Sequence, residues 1–224
     1  MRVLIFSTTY FPFVGGAEVA IKEITDRLGG EIEFDLITAK LRSDIPKVER
    51  FGKVNIYRIG FGLPLLDKLL LPFLGALKVL KLHHTKPYDY FWGVMISFAS
   101  GAAYVFNLFR KNKAPIILTL QEGDSEEHLT KRWFGLINKS WKLALVRTER
   151  LTAISTYLLD RAHKLGFEGE GHLIPNGVDL KRFELLRKPA FDLNRIILIT
   201  TSRLVPKNGI IDIIRALKYL PETV

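Results

Sequence analysis

Short apolar runs alternate with segments of helical periodicity along most of this chain. The first run, Arg2–Ser7, is almost wholly apolar, which is typical of a strand buried on both faces of a parallel sheet. A helical pattern follows from Ala17 to about Leu28 and ends at two glycines. Further strands are predicted at Glu33–Thr38, Val54–Ile59, Tyr88–Met95, Pro115–Leu120, Leu151–Ile154 and His172–Ile174. The alternation predicts a doubly wound α/β domain with a parallel sheet.

A second strand-and-helix pattern begins near the end of the chain. Arg195–Thr201 is predicted to be a buried strand, followed by a polar loop and a short helix. One strand and one helix cannot bury a core of their own, so we expect a second domain that begins but does not finish. We therefore place a first domain at residues 1–190, and the start of an incomplete second domain at residues 191–224.

Two stretches are apolar enough to raise the question of a membrane span. Phe91–Phe109 has 19 residues without a charge, but its glycines, serines and asparagine favour a strand, a turn and a buried helix. Phe61–Leu82 is too often interrupted by charges and prolines to cross a bilayer. It is predicted either to pack against the sheet or to lie on a bilayer surface as a basic amphipathic helix.

The positive charge of the chain is concentrated in its middle. The net charge is +10, and residues 41–150 hold 18 Lys and Arg against 9 Asp and Glu. This surplus favours an anionic partner, such as a membrane surface, a phosphorylated substrate or nucleic acid. A solvated basic face that serves only solubility explains the surplus equally well.

Composition also limits the chemistry. There is no cysteine, which excludes disulfides and thiolate metal sites, and the five histidines lack metal-ligand spacing. We therefore expect no metal and no cofactor. Because no secretory signal is present, we predict a cytoplasmic location, with peripheral contact at the inner membrane face as a secondary hypothesis.

Three loops that follow predicted strands are candidate sites. Gly15 and Gly16 stand between a strand and a helix N-terminus, where free N–H groups and the helix dipole attract phosphate. Their pattern is not G-x-G-x-x-G, which argues against a nicotinamide-dependent enzyme. Gln121 and Asp124 follow another strand, and Arg203 and Lys207 follow the last one, where two cations could stabilise a departing diphosphate. Ordinary turn chemistry and solvated charges explain each of these loops alone.

The order of the motifs is more specific than any one of them. The motifs are Tyr10–Glu18 (YFPFVGGAE), Leu151–Ser155 (LTAIS), Leu173–Asp179 (LIPNGVD) and Thr201–Lys207 (TSRLVPK). In this order and spacing they resemble the retaining glycosyltransferases of family 4, which have the GT-B fold. The resemblance extends over essentially all 224 residues. It implies a Rossmann-like acceptor-side domain and the start of a similar donor-side domain.

The resemblance also implies roles for individual residues. Gly15 and Gly16 match the glycine loop that faces the donor diphosphate, and Arg203 and Lys207 match the basic pair that neutralises the nucleotide leaving group. Substrate contacts are implied for Glu18, Gln121, Asp124 and Asn176, while no catalytic residue is identified. Many family members have a histidine where this chain has Gln121, and their lysine often lies one position later than Lys207. A glutamine can bind a sugar hydroxyl but cannot act as an acid or a base.

The implied reaction is metal-independent transfer of a sugar from a nucleotide-sugar to a glycan or lipid-linked acceptor, with retention of configuration. Because the second domain is expected to be incomplete, we expect this chain alone to be inactive. The alternative is a non-catalytic Rossmann-like module that binds a polyanion, although no nucleic-acid module is recognisable. Salt-dependent binding to DNA or RNA, with no response to nucleotide-sugars, would favour that alternative.

Overall fold

The computed structural model describes residues 1–28, 30–108, 114–122, 136–184 and 197–220. The chain divides into two units, Met1–Gly177 and Val178–Val224. The described strands of the first unit are β1 (Arg2–Phe6), β2 (Glu33–Ala39), β3 (Val48–Phe51), β4 (Val54–Ile59), β5 (Tyr90–Val94), β6 (Ile116–Leu120), β7 (Arg150–Ala153) and β8 (Gly171–Leu173). Its described helices are α1 (Gly16–Arg27), α2 (Pro64–Thr85), α3 (Phe98–Leu108), α4 (Leu136–Val146) and α5 (Thr156–Lys164).

The eight described strands form one sheet in the order β3-β4-β2-β1-β5-β6-β7-β8. Every neighbouring pair is parallel except β3 and β4, which form an antiparallel hairpin. The predicted α/β fold is confirmed, and so are the seven strands predicted within the first unit. Sequence analysis missed β3, because Val-Glu-Arg-Phe has only four residues and its two central ones are both charged. A short charged strand at a sheet edge gives little apolar signal.

Helices on opposite faces bury the central strand. Leu4 of β1 belongs to a buried cluster with Leu71 of α2, whereas its neighbour Ile5 belongs to another cluster with Ile21 of α1. Alternate residues of a strand point to opposite faces, so α1 covers one face and α2 covers the other. A third buried cluster forms around Trp141 of α4, beside β6 and β7.

The two long apolar stretches adopt the predicted structures. Residues of Phe91–Phe109 form β5, a turn and α3, and Phe61–Leu82 contributes most of α2, which packs against α3 and the sheet. A Cβ added at Gly75 of α2 would lie only 2.9 Å from the Cβ of Ala102 in α3, so small residues allow the two helices to approach closely. Among the described helices, none combines the length and apolarity needed to cross a membrane.

A buried carboxylate connects the start of α2 to two loops. Asp67, which is 1 % exposed, accepts hydrogen bonds from the backbone N–H groups of Leu41 (3.1 Å), Phe61 (2.8 Å) and Gly62 (2.8 Å). The φ of Gly60 is +124°, a conformation that strongly favours glycine, and its missing side chain leaves room for the Asp67 carboxylate. Asp67 therefore holds the chain that follows β2 against the chain that leads from β4 into α2.

The second unit has helical structure but no described strand. Its described residues, 178–184 and 197–220, include a helix, α6 (Ile210–Ala216), and single 3₁₀ turns at Pro206–Asn208 and Leu217–Tyr219. The helix predicted near the end of the chain is thus confirmed. The strand predicted at Arg195–Thr201 is wrong over residues 197–201, which are extended loop with Ile199 84 % exposed. The described part of this unit has no neighbouring strand to pair with that segment. The domain boundary predicted at residue 190 lies outside the described residues and stays a prediction.

Replacing Asp67 by asparagine tests how much the buried carboxylate contributes to stability. The amide group has one acceptor oxygen in place of two and adds N–H donors that would face three backbone donors. We expect Asp67→Asn to lower the free energy of unfolding by about 2–4 kcal/mol, measured by urea denaturation. Asp44→Asn is the matched control, since the Asp44 side chain is 59 % exposed, and should change stability by less than about 0.5 kcal/mol. Equal effects of the two variants would contradict this role of Asp67.

Candidate functional site

The sheet topology creates a crevice at the carboxyl end of β1. From β1 the chain first builds β2 and β4 on one side of it and then crosses to build β5 through β8 on the other side. The loops that leave β1 and β5 therefore diverge toward opposite faces. Open α/β sheets bind ligands at such a switch point, outside the carboxyl ends of the strands. Gly15, Gly16, Gln121 and Asn176 all follow strands at this edge.

The β1–α1 loop presents an exposed helix N-terminus. Helix α1 begins at Gly16, and Gly15 precedes it in an extended conformation without a side-chain cap. Both glycines are exposed, and a Cβ added at Gly16 would meet no atom within 4 Å. The first-turn N–H groups of a helix lack intrahelical acceptors, so this surface can accept an anion at the positive end of the helix dipole.

Glu18 supports this loop from inside. Its carboxylate is 7 % exposed and accepts a hydrogen bond from the hydroxyl of Thr9. A Cβ added at Gly15 would lie 2.6 Å from Glu18 Oε2, so the carboxylate packs directly under the glycine. Gly15 thus leaves space for Glu18, whereas Gly16 leaves space that is open to solvent. The substrate contact predicted for Glu18 stays a prediction.

Two of the predicted substrate residues lie next to each other. Gln121 follows β6 and Asn176 follows β8, and Gln121 Nε2 lies 3.4 Å from Asn176 Oδ1, at the long end of the hydrogen-bond range. Two amide side chains offer both donors and acceptors, which suits sugar hydroxyl groups. With strands about 4.8 Å apart, β6 is two strands from β1, so Gln121 leaves the sheet roughly 10 Å from the start of the glycine loop.

The sequence analysis did not identify Glu122, which is buried at the same edge. Its carboxylate accepts hydrogen bonds from the N–H groups of Ile96, in the β5–α3 turn, and of Gln121, at 2.9 Å for the latter. Met95, just before Ile96, has a φ of +66°, a strained conformation for a residue with a side chain. Glu122 therefore ties the turn after β5 to the end of β6. A charged residue two positions after the strand Ile116–Leu120 was the signal available in the sequence.

Burial determines the titration of Glu122. Loss of solvent raises the pKa of its carboxyl above that of a solvated glutamate, while the backbone N–H groups of Ile96 and Gln121 and the positive charge of Arg161 partly oppose this increase. The group is thus protonated more readily in the folded chain than in the unfolded chain.

The other predicted residues belong to the second unit or lie outside the described residues. Arg203 belongs to the second unit, where it is exposed in the loop before the 3₁₀ turn Pro206–Asn208, and Lys207 lies within that turn. Asp124 lies outside the described residues. Within the described ranges, no group of three His, Asp or Glu side chains is placed to hold a metal ion. The roles assigned to these residues, and the expected independence from metal, stay predictions.

Comparison with protein families identifies the chain. The model of the family described as Glycosyltransferase Family 4 matches residues 14–182. The chain belongs to glycosyltransferase family 4. The matched segment contains the glycine loop, Gln121 and Asn176. The family match therefore includes the residues at this edge of the sheet.

Solved structures agree on the fold of this family 4 chain. Sucrose-phosphate synthase from Thermosynechococcus elongatus, a GT-B glycosyltransferase, matches 80% of the chain at 15% identity, with a TM-score of 0.62. The chain spans about half of that protein, 49% of its length. A second, shorter solved chain of the same protein matches at 13% identity and a TM-score of 0.59, covering 82% of this chain and 93% of that one. No curated protein sequence matches the chain significantly. At these identities the likeness shows the fold alone.

The raised pKa of Glu122 predicts a pH dependence of stability. Because the folded state retains the proton to higher pH, Glu122 lowers stability progressively as the pH rises from its unfolded pKa, about 4.3, through its folded pKa. Glu122→Gln removes this titration. The unfolding free energy of the variant, relative to that of the unsubstituted chain, should therefore increase as the pH rises above about 4 in a series of urea denaturation curves. Glu168→Gln, at an exposed glutamate, is the control. A Glu122→Gln difference that is constant with pH would refute this prediction.

Proposed function

We propose that this family 4 chain acts in the transfer of a sugar from a nucleotide-sugar to a glycan or lipid-linked acceptor, with retention of anomeric configuration. The observation that carries the proposal is the carboxyl edge of the sheet, where an open helix N-terminus and the Gln121–Asn176 amide pair follow strands of one sheet. Family 4 membership supports sugar transfer in general. The donor, the acceptor and the stereochemistry are part of the proposal.

The glycine loop suits the diphosphate of the donor. Gly16 is open to solvent and has no side chain, so a phosphate oxygen can reach the N–H groups of the first turn of α1. We further propose that Arg203 and Lys207 neutralise the nucleotide diphosphate as it leaves. Their fixed positive charges would stabilise the charge that develops when the glycosidic bond breaks, without need of a metal ion.

The amide pair suits the hydroxyl groups of a sugar. Gln121 and Asn176 can each donate and accept hydrogen bonds, and Asn176 is exposed. An amide side chain is neither protonated nor deprotonated near neutral pH, so these residues are proposed to position a substrate rather than to act as an acid or a base. Substrate contacts from Glu18 and Asp124 are proposed as well. A peripheral contact of the chain with an anionic membrane is also proposed.

Gly16→Val tests the donor half of the proposal. The added side chain has open space, so stability should stay within about 1 kcal/mol of the unsubstituted chain. It would nevertheless obstruct the approach of a phosphate to the helix N-terminus. We expect about tenfold weaker binding of a nucleoside diphosphate by isothermal titration calorimetry, a loss of about 1.4 kcal/mol. Glu23→Ala, on the same helix, is the control. Unchanged affinity in Gly16→Val would place the diphosphate elsewhere.

Gln121→Ala and Asn176→Ala test the acceptor half. Each change removes hydrogen bonds to a substrate hydroxyl and should lower kcat/KM for sugar transfer roughly tenfold, mostly through a higher KM for the acceptor. Because the two amides lie 3.4 Å apart, the double variant should lose less than the sum of the single variants. If the chain shows no turnover, saturation-transfer NMR can compare the binding of the acceptor to the same variants. Strictly additive losses would mean that the residues act independently.

The overall assignment is tested with a panel of nucleotide-sugars and with polyanions. Nucleotide-sugar binding, and an anomeric proton of unchanged configuration in any product, would support retaining transfer. Salt-dependent binding to DNA or RNA without any response to nucleotide-sugars would instead support the polyanion-binding alternative.

A further inference from the structure

Helix α2 is apolar on two opposite sides. Its inner side packs on the sheet and α3 through Leu71, Gly75 and Val79. Its opposite side carries five apolar residues at intervals of three and four, which places them along one stripe of the helix. We call this stripe the α2 outer face; it consists of Leu66, Leu69, Phe73, Leu77 and Leu80. A helix that is apolar all round is normally buried on all sides.

The α2 outer face is nevertheless exposed. Its five side chains are 41 %, 42 %, 62 %, 63 % and 42 % exposed, in chain order. These fractions correspond to on the order of 500 Å² of apolar surface, near the upper end of what a monomer exposes in one patch. Phe61, Leu63 and Leu65 extend the patch beyond the N-terminal end of the stripe, at 62 %, 56 % and 70 % exposure. Patches of this size mark interaction surfaces.

The exposed charges of helix α2 itself are of one sign. The only acidic residue among the 22 residues of α2, all of them described, is Asp67, and its carboxylate is buried and bound to three backbone N–H groups. Lys81 and His84 are exposed and continue the stripe at its C-terminal end. The outer side of α2 thus combines an apolar stripe with basic groups and no exposed carboxylate.

We propose that the α2 outer face binds the surface of an anionic lipid bilayer. The helix would lie parallel to the membrane, with its apolar side chains at the boundary between headgroups and acyl chains and Lys81 near the lipid phosphates. A second copy of this chain suits the face less well. Pairing two copies through this face would place identical basic surfaces against each other, and their like charges would repel. The surplus of positive charge in residues 41–150 also favours an anionic bilayer as the partner of this face.

The test is sedimentation of the 224-residue chain with vesicles of phosphatidylcholine, either alone or mixed with phosphatidylglycerol. We expect several-fold more bound chain on the mixed vesicles. Phe73→Ser with Leu77→Ser should weaken binding to the mixed vesicles at least tenfold. Lys81→Glu with His84→Glu should remove the preference for phosphatidylglycerol. All these side chains are exposed or at the surface, so circular dichroism should show an unchanged fold.

Leu143→Ser with Val146→Ser on α4 is the matched control, since these apolar residues are 60 % and 72 % exposed, and it should bind like the unsubstituted chain. Equal sedimentation with both vesicle types overturns the proposal. Full binding by the Phe73/Leu77 variant overturns it as well. If that variant instead changes the molar mass measured by light scattering, the face joins two copies and the proposal is wrong. The vesicles contain no sugar donor or acceptor, so this test is independent of the proposed transferase function.

Discussion

The position of β1 between β2 and β5 is the constraint on which the rest of this structure depends. Parallel strands need crossover connections, and the crossovers place helices on both faces of the sheet. Helix α1 covers one face of β1 while α2 and α3 cover the other, so the strand is buried from Val3 to Phe6. At β1 the order in which strands are added to the sheet also reverses, from the β2 side to the β5 side, and this opens the crevice where the glycine loop lies.

Two buried carboxylates fix the loops around this framework. Asp67 binds three backbone N–H groups near the start of α2, and Glu122 binds two at the ends of β5 and β6. Each satisfies donors that would otherwise be buried without an acceptor. Glu122 directly adjoins Gln121, the half-buried amide of the candidate site, and burial raises the pKa of the Glu122 carboxyl. The geometry of the candidate site is therefore coupled to a carboxyl group that titrates.

Helix α2 contributes one side to the core and the other side to the proposed membrane-binding surface. Its inner side needs Gly75 so that α3 can approach, and its outer face presents leucines and a phenylalanine to solvent. The sequence shows that α2 has apolar residues on two sides, but it does not show which of these sides is exposed. The exposed side is determined by which residues of α2 pack against Ala102 and the sheet. The packing interpretation of Phe61–Leu82 is confirmed, and the bilayer interpretation persists as a proposal for the opposite face.

The sequence by itself determined the seven parallel strands of the first unit, the fold class and the family, because buried parallel strands are largely continuous apolar runs and the motifs keep their order. It also placed Gln121 and Asn176 at strand ends, although 55 positions separate them. Tertiary structure decided what local patterns do not encode. Strand β3 needs β4 to form, residues 197–201 stay unpaired where no neighbouring strand is described, and Glu122 acquires its role only when β5 and β6 meet. Pairing and burial depend on partners distant in the chain, which a local pattern cannot specify.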